Sequence, residues 1–178
     1  MKRIIMDSAA VTRSIGKMAH QIVERNEGAE NLAIVGILTR GVDIAKRISK
    51  KIIEIEGVAP AFGHVDITLY RDDFRELLDV PQAKGSELQF DVTGKDIVLI
   101  DDVLYTGRTI RSAIDVILDF GRPKSIQLAV LVDRGGRELP ICPDYIGKRI
   151  EVRHNEYVNV RTKETDRKDE VILVRRAK

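Results

Sequence analysis

The chain has 178 residues and a mass of 20.0 kDa, which is the size of one ordinary domain. Apolar residues make up 43% of it and charged residues 33%, a balance that provides material for a core and excludes a disordered chain. Thirty Lys and Arg against 28 Asp and Glu leave a net charge of +2, which excludes both binding to nucleic acid by bulk charge and an acidic tail protein.

The sequence shows no sign of a membrane span, a signal peptide or a disulfide. No apolar run approaches the roughly 20 residues that a span needs, and the apolar part of residues 1–7 is too short for a signal peptide. The single cysteine, Cys142, excludes an internal disulfide and a cysteine-based metal site. We therefore expect a cytoplasmic protein without a membrane partner.

Hydrophobic periodicity predicts helices and strands that alternate along the chain. In chain order these are a helix at 7–25, a strand at 32–38, a helix at 41–56, strands at 62–70 and 96–100, a helix at 109–120, and strands at 125–132 and 171–174. Asp7 is the expected N-cap of the first helix, Asn26 and Gly28 are expected to end it, and Gly57 the second. This alternation predicts an α/β fold with a parallel sheet and right-handed crossovers.

Two segments lack this periodicity. Residues 71–92 carry many charges together with Pro81 and Gly85, and they are predicted to form a long loop. Loops of that length in a compact domain are usually functional or disordered. Residues 161–170 are highly charged and are predicted to be exposed. Neither segment marks a domain boundary, so residues 1–178 are predicted to form a single domain.

Residues 97–109 carry the clearest chemical signal. A buried strand places Asp101 and Asp102 at its carboxyl end, where open α/β sheets bind ligands. Residues 106–109 follow as a turn into a helix, with two hydroxyls, a glycine and helix N-terminal amides, which suit a phosphate monoester. Because carboxylates suit sugar hydroxyls or a cation, the segment predicts a ribose 5-phosphate pocket. Its simplest alternative reading is a helix cap without a ligand.

The same segment resembles the phosphoribosyl pyrophosphate (PRPP) motif of type I phosphoribosyltransferases, which is four apolar residues, two acids, three variable residues and Thr-Gly-x-Thr. Four further segments resemble those of the pyrimidine-operon regulators, which are bifunctional mRNA attenuation proteins with uracil phosphoribosyltransferase activity. These are VGILTRG (35–41), DITLYRDD (66–73), LAVLVDRGGRELP (128–140) and DYIGK (144–148). The resemblance implies the type I phosphoribosyltransferase fold, with a central parallel sheet flanked by helices and a small hood.

The reaction implied by this resemblance joins N1 of uracil to C1 of the ribose as pyrophosphate departs. Asp101 and Asp102 are implied to hold the ribose hydroxyls and to stabilise positive charge at the anomeric carbon, and Arg134 to contact pyrophosphate. Together they are the implied catalytic residues. The residues implied to bind PRPP or UMP are Thr39, Arg40, Arg71, Asp101, Asp102, Val103, Leu104, Tyr105, Thr106, Gly107, Arg108, Thr109, Arg134 and Val158.

The resemblance also implies a cofactor and a cover for the site. Mg²⁺ is implied to bind mainly through the pyrophosphate of PRPP, with Asp133 facing it through water. Residues 71–92 are implied to be a flexible hood that excludes water, with Arg71 as a pyrophosphate contact. The charges of that loop could equally balance one another on a solvated surface. A loop at Thr39 and Arg40 is implied to meet pyrophosphate and to contain a cis peptide bond without proline.

Position 105 bears on the choice of base. Purine-salvage relatives typically have Asp immediately before the Thr-Gly of the motif, where it meets N7 of the base, whereas this chain has Tyr105. The resemblance therefore favours a pyrimidine. Uracil is expected to be read largely by backbone groups after Arg134, in the region of Ile146 and Val158.

RNA binding needs a local basic surface, because a net charge of +2 supplies little attraction. A solvated helix face is the alternative reading. Gly16 and Gly136 depart from the pattern of the RNA-binding relatives, and Gly16 indicates either relaxed demands or a close backbone approach. The candidate RNA contacts are Arg13, Lys17, His20, Arg25, Arg137 and Lys148, with Arg149 and Arg153 as further contributors.

Three functions therefore compete. The first is an attenuator that is also a uracil phosphoribosyltransferase, with uracil, PRPP, UMP or UTP and pyrimidine-operon mRNA as partners. The second is a phosphoribosyltransferase without RNA regulation or for another base, and the third is a UMP-sensing RNA-binding protein with vestigial catalysis. The intact acidic pair opposes the third. The resemblance further implies a homo-oligomer, a dimer at least.

Overall fold

The structure is a computed structural model that describes residues 2–67, 85–153 and 155–175. In chain order its elements are β1 (Lys2–Met6), α1 (Ser8–Asn26), β2 (Leu32–Ile37), α2 (Arg40–Glu56), β3 (Ala61–Val65), β4 (Glu87–Leu88), β5 (Asp96–Leu104), α3 (Arg108–Asp119), β6 (Ser125–Asp133), β7 (Tyr145–Arg149), β8 (Glu156–Arg161), α4 (Lys163–Asp166) and β9 (Glu170–Arg175). Within these residues no helix combines the length and the hydropathy needed to cross a bilayer.

The main sheet has the strand order β4-β3-β2-β5-β6-β7. Strands β3, β2, β5, β6 and β7 run parallel, and the two-residue edge strand β4 is antiparallel to β3. The carboxyl ends of β2 and β5 therefore lie side by side at the centre of the sheet, which is where a parallel sheet binds its ligands. The predicted α/β architecture with a central parallel sheet is confirmed.

Helices cover both faces of this sheet because alternate residues of the central strands point to opposite sides. On one face Val98 and Ile100 of β5 pack against α1 and α2. On the other face Ile97 and Leu99 pack against α3. Strands buried on both faces read as continuous apolar runs, which is why the sequence identified β2, β5 and β6.

A second sheet, with the order β1-β9-β8, is antiparallel and was not predicted. It joins Lys2–Met6 to Glu170–Arg175, two segments that are too far apart in the chain for local periodicity to relate them. The expectation that 161–170 is exposed is confirmed only for residues 163–165, 167 and 168, since Thr162 and Glu170 are buried. The charged composition of this segment did not predict its buried positions, because many of its charged side chains form ion pairs.

Most predicted bounds are close to those observed, with three informative differences. Asp7 caps α1 as predicted, but Glu27 rather than Gly28 adopts the left-handed conformation that ends the helix. The predicted strand 96–100 continues to Leu104, and the strand predicted at 62–70 ends at Val65. The predicted hood, 71–92, lies largely outside the described residues, and its remainder includes the edge strand β4.

Candidate active site

Asp101 and Asp102 lie near the carboxyl end of β5, as the sequence predicted. Oδ1 of Asp101 accepts a hydrogen bond from the backbone N–H of Asp102 at 2.9 Å, and Oδ1 of Asp102 accepts one from Val103 at 2.8 Å. Burial raises the pKa of both carboxyls, and the neighbouring charge of Asp102 raises the pKa of Asp101 further. The pair is therefore held rigidly in an environment that favours a positively charged or hydroxyl-bearing ligand.

The turn after β5 leads directly into α3. Gly107 has a φ of 93°, a conformation that favours glycine, and no side chain caps the helix that begins at Arg108. The hydroxyl of Thr106 accepts a longer hydrogen bond of 3.3 Å from the backbone of Arg108. A helix N-terminus without a side-chain cap keeps amide groups and a positive dipole end for an anion, so the turn suits a phosphate.

A second loop, residues 134–144, braces this turn. Backbone N–H groups of Glu138 and Leu139 both donate to the carbonyl of Thr106, at 2.9 and 3.1 Å. The Arg137 guanidinium donates to the carbonyls of Tyr105 and Ile141, at 2.8 and 2.9 Å. Three groups of the loop at 134–144 therefore donate to the carbonyls of Tyr105 and Thr106, so this loop helps to fix the position of the turn.

The start of α2 approaches the acidic pair closely. A Cβ atom on Gly41 would lie 2.6 Å from the carbonyl oxygen of Ile100, so only glycine allows this approach. The peptide bond between Leu38 and Thr39 is cis, as the resemblance implied. Arg40 follows directly, and its charge lowers the pKa of Asp102 against the larger effect of burial. The predicted pyrophosphate loop is therefore next to the predicted ribose site.

Arg40 has a partner that the sequence did not indicate. Its Nε and Nη2 atoms donate to the two carboxylate oxygens of Asp166 at 2.9 and 2.8 Å. This bidentate pair, mainly through its hydrogen bonds, lowers the pKa of Asp166. The two residues are 126 positions apart in the chain, and no local motif surrounds Asp166, so sequence reasoning had no signal for it.

Arg134 lies at the end of β6, where its guanidinium covers the ring of Tyr105 at 3.9 Å from the centroid. Its Nη2 atom donates a long hydrogen bond of 3.5 Å to the carbonyl of Glu156, which places it beside the start of β8. A Cβ atom on Gly136 would lie 2.6 Å from the Tyr105 ring, and the φ of Gly136 is 77°. Gly136 therefore makes room for the stacked ring.

Asp133 was predicted to face Mg²⁺, but the structure gives its carboxylate two cationic partners. Oδ1 accepts from Nη2 of Arg137 at 2.5 Å and from the backbone of Gly135 at 3.0 Å, and Oδ2 lies 3.4 Å from Nε of Arg149. Burial alone would raise the pKa of Asp133, but these donors outweigh it and lower the pKa. No group of three metal-ligating side chains occurs within the part of the chain that the structure describes.

Comparison with known proteins assigns this arrangement to a family. The model of the phosphoribosyl transferase domain matches residues 3–166. The chain belongs to the phosphoribosyltransferase family. Its relatives include the bifunctional protein PyrR of Clostridioides difficile, 55% identical over 97% of both chains, and that of Listeria monocytogenes, 49% identical over 96% of this chain and 95% of the other. Identity at this level over almost the whole length places the chain among the PyrR proteins.

Solved structures confirm the type I phosphoribosyltransferase fold. The hypoxanthine phosphoribosyltransferase of Trypanosoma cruzi superimposes with a TM-score of 0.74 at 17% identity, covering 97% of this chain and 96% of that one. The enzyme of the same name from Staphylococcus aureus gives a TM-score of 0.72 at 19% identity, covering 98% and 92%. At such low identity the likeness concerns the fold alone.

This phosphoribosyltransferase also carries a basic cleft between α1 and β7. Arg13, Lys17 and Lys148 line a cavity of about 250 Å³ there, which brings together three of the predicted RNA contacts. A Cβ atom on Gly147 would lie 2.6 Å from a backbone oxygen of β6 and 3.2 Å from Cβ of Ser14, so glycine allows the two elements to approach. We call it the α1–β7 cleft.

The other predicted RNA contacts do not line this cleft. His20 is exposed on α1, whereas Arg25 pairs with Asp144 at 2.6 Å. Arg137 is directed inward to the bonds described above, since only 21% of its side chain is exposed. Nothing lies within 4 Å of a Cβ placed on Gly16, so a close backbone approach does not explain that glycine.

The remaining predicted positions lie on three different elements or outside the described residues. Val158 is half-buried on β8 and packs against the core face shared by α1 and α2, and Ile146 is half-buried on β7. Thr109 is exposed in the first turn of α3. Arg71 lies outside the described residues, as do His154 and most of the predicted hood.

Proposed function

We propose that this PyrR relative transfers the phosphoribosyl group of PRPP to N1 of uracil, forming UMP and pyrophosphate, and that it also binds pyrimidine-operon mRNA as a transcriptional attenuator. The observation that carries the enzymatic half is the pair of Asp101, which is buried, and Asp102, which is half-buried, on the strand that leads into the uncapped N-terminus of α3. The acidic pair provides acceptors for sugar hydroxyls, and the start of α3, a few residues further along the chain, provides donors for a phosphate.

The α3 turn holds the 5-phosphate in this proposal. The backbone of residues 106–109 and the hydroxyls of Thr106 and Thr109 supply its donors. The Arg108 side chain contributes less, because its Nε already donates to Glu138 at 2.7 Å and more than half of it is exposed. Val103, Leu104 and the rest of the turn contribute by shaping the pocket.

The acidic pair supports the bond exchange. As the bond from C1 to the pyrophosphate oxygen breaks and the bond from N1 of uracil forms, the ribose gains positive charge in the transition state, and the N1 proton of uracil passes to the departing pyrophosphate or to solvent. Asp101 and Asp102 hold the ribose hydroxyls and stabilise that charge, since they are fixed and largely shielded from water. They position the ribose and do not form a bond to it.

Thr39, Arg40 and Arg134 form the pyrophosphate side of the site, and Arg71 in the hood completes it. Arg40 follows the cis peptide bond at the start of α2, and Arg134 follows β6, so the two arginines come from loops after two different strands. Cations on two sides of the leaving group stabilise the charge that it gains as it departs.

A bound Mg²⁺ would neutralise charge on the departing pyrophosphate. We propose that PRPP itself supplies most of the oxygen ligands, because the described residues offer no three-ligand group. Asp133 fits a metal contact poorly, since arginines face both of its oxygens. In our proposal Asp133 instead fixes the loop that carries Arg134.

Uracil fits this site better than a purine for two reasons. Position 105 carries a phenol and not the carboxylate that purine-salvage enzymes use, and Arg134 covers the face of its ring. We propose that backbone groups near Val158, on the strand that Glu156 begins, read the edge of the base. The contact between Arg134 and the Glu156 carbonyl brings these two parts of the site together.

The α1–β7 cleft supports the RNA-binding half. Three cationic side chains converge there on a protein whose total charge is only +2, so the attraction is local and sensitive to salt. We propose that UMP or UTP acts as co-regulator, and that the protein is a cytoplasmic homo-oligomer. An enzyme without RNA regulation remains the main alternative, because Gly16 and Gly136 depart from the expected pattern.

One experiment with two arms tests the proposal. Labelled uracil, PRPP and Mg²⁺ are expected to give UMP, and hypoxanthine is expected to give no nucleotide. In the second arm, filter binding to a pyrimidine-operon leader RNA at low salt is expected to show saturable binding that UMP strengthens. UMP binding without UMP formation would contradict the enzymatic half, and failure to retain the RNA would contradict the regulatory half.

A further inference from the structure

We propose that Asp166 is a positioning residue for the pyrophosphate site: it fixes the Arg40 guanidinium so that one edge remains directed to the leaving group. This inference rests on the proposed function, because it assigns Arg40 to pyrophosphate. It adds a residue that lies 126 positions from Arg40 in the chain to the pyrophosphate side of the site.

The geometry of the pair divides the guanidinium into two edges. Asp166 occupies the side formed by Nε and Nη2, at 2.9 and 2.8 Å. No described residue accepts a hydrogen bond from Nη1, so the edge formed by Nη1 and the second N–H of Nη2 keeps its donors. A guanidinium fork of this kind binds a phosphate oxygen pair in the same planar manner as it binds a carboxylate.

Asp166 is itself held in place by its own segment. Its Oδ2 atom accepts from the backbone N–H of Thr162 at 3.0 Å, and its N–H donates to the Thr162 carbonyl at 2.6 Å. The carboxylate that orients Arg40 is thus anchored at both its side chain and its backbone. An anchored partner restricts a long, flexible arginine to one orientation before the ligand arrives.

That segment is in turn fixed to α2 on the face that carries Arg40. The buried carboxylate of Asp43 accepts from the hydroxyls of Thr162 and Thr165, at 2.5 and 2.7 Å. One turn further along α2, Arg47 pairs with Glu164 and with Asp169. Positions 40, 43 and 47 lie on one side of a helix, so a single face of α2 holds residues 162–169.

Two effects oppose each other when Asp166 is neutralised. Removal of the negative charge of Asp166 would strengthen the binding of an anion such as pyrophosphate. This effect is weakened because the Arg40 side chain is about one-third exposed, so solvent screens the charge. Loss of the bidentate contact releases the rotamers of Arg40 and misplaces its donors, which affects binding directly. We expect the second effect to prevail, because pyrophosphate recognition depends on the direction of the N–H groups.

The test is Asp166→Asn, which keeps the size of the side chain. We expect the Kd for magnesium pyrophosphate, measured by calorimetry, and the KM for PRPP to rise roughly fivefold to tenfold, in line with the loss of one oriented contact. The KM for uracil and kcat should change by less than about twofold. In an Arg40→Ala background, Asp166→Asn should add no further loss, because its effect passes through Arg40.

Glu164→Gln is the matched control, since Glu164 lies in the same short helix and pairs with Arg47 away from the site. It should leave the Kd for pyrophosphate unchanged. The proposal is overturned if Asp166→Asn binds pyrophosphate as tightly as the parent, if Glu164→Gln causes an equal loss, or if the effect persists without Arg40. Because pyrophosphate binding needs no turnover, a parent that binds it but forms no UMP counts against the proposed function and not against Asp166.

Discussion

Two adjacent strands of the main sheet end in buried carboxylates whose surroundings are opposite in kind. At the end of β5, Asp101 and Asp102 accept hydrogen bonds from backbone amides, and burial raises their pKa. At the end of β6, Asp133 accepts from Arg137 and faces Arg149, and these cations lower its pKa in spite of burial. Leu104, just beyond the acidic pair, lies opposite Asp133 in the sheet.

In our proposal this difference separates a carboxylate that is available to a ligand from one that stabilises the structure. A buried charge without a counterion costs stability, and proteins retain such groups where a ligand will supply the missing charge. A buried charge with its own arginines is already neutralised. The sequence presents Asp101, Asp102 and Asp133 in the same way, at the ends of apolar strands, and only their neighbours distinguish them.

The largest effect is expected at Asp102. We expect Asp102→Asn to lower kcat/KM for the uracil reaction on the order of a hundredfold, because it removes a fixed charge beside the developing cation. Steady-state kinetics measure the loss, and circular dichroism and a thermal melt of the same sample check that the fold is kept. An unchanged kcat/KM would show that the acidic pair is misassigned.

Replacement of Asp by Asn should change the free energy of unfolding in opposite directions at the ends of β5 and β6. At neutral pH, Asp133→Asn should lower the free energy of unfolding by about 2 kcal/mol, because it leaves the partly buried Arg137 without its carboxylate. Asp101→Asn should raise it by about 1 kcal/mol, because it removes a buried charge that lacks a cation. Denaturant unfolding measures both values.

The pH dependence of these differences gives a second check. The pKa of Asp133 is lowered, so its stabilisation is present above the ordinary carboxyl pKa of about 3.9 and is lost as the pH falls through the lower folded value. The pKa of Asp101 is raised, so the parent loses stability relative to Asp101→Asn as the pH rises from about 4 through the folded value. If Asp133→Asn and Asp101→Asn both raise or both lower the free energy of unfolding, the proposed difference between the two strand ends is contradicted.

The smallest effect is expected at a cation that already has a partner. Arg108→Ala should raise the KM for PRPP by no more than about threefold, because the exposed side chain pairs with Glu138 and such surface pairs contribute little. Thr109→Val should raise it more, since its hydroxyl is expected to contact the 5-phosphate directly. Equal losses in the two variants would indicate that the Arg108 side chain, and not the turn, provides the affinity.

The sequence was sufficient for the parts of the proposed site that are contiguous in the chain. The segment from Asp96 to Asp119 contains a strand, the acidic pair, a glycine turn and a helix start, and each has a local signature. The cis peptide before Thr39 followed from the family resemblance alone. Residues that are close together in this segment of the chain are also close together in the structure, because strand, turn and helix follow one another directly.

The parts that could not be predicted all depend on distant partners. Asp166 reads as one charge among many until Arg40 is placed beside it. Gly136 reads as a departure from a pattern until the Tyr105 ring is seen to occupy the space of its missing side chain. The ion pairs of Asp133 with Arg137 and Arg149 likewise had no signal in the sequence. Contacts of this kind depend on the tertiary fold and produce no periodic pattern in the sequence.

The pairing of β1 with β9 has a consequence for the order in which the protein matures during synthesis. Strand β1 is translated well before its partner, Glu170–Arg175, because most of the described chain lies between them. Strand β1 therefore has no strand partner until β9 is made. Its unpaired backbone groups are exposed during that time, and chaperones protect strands of this kind. Asp166 is also translated well after β5, so in our proposal the acidic pair is in place before Arg40 receives its partner.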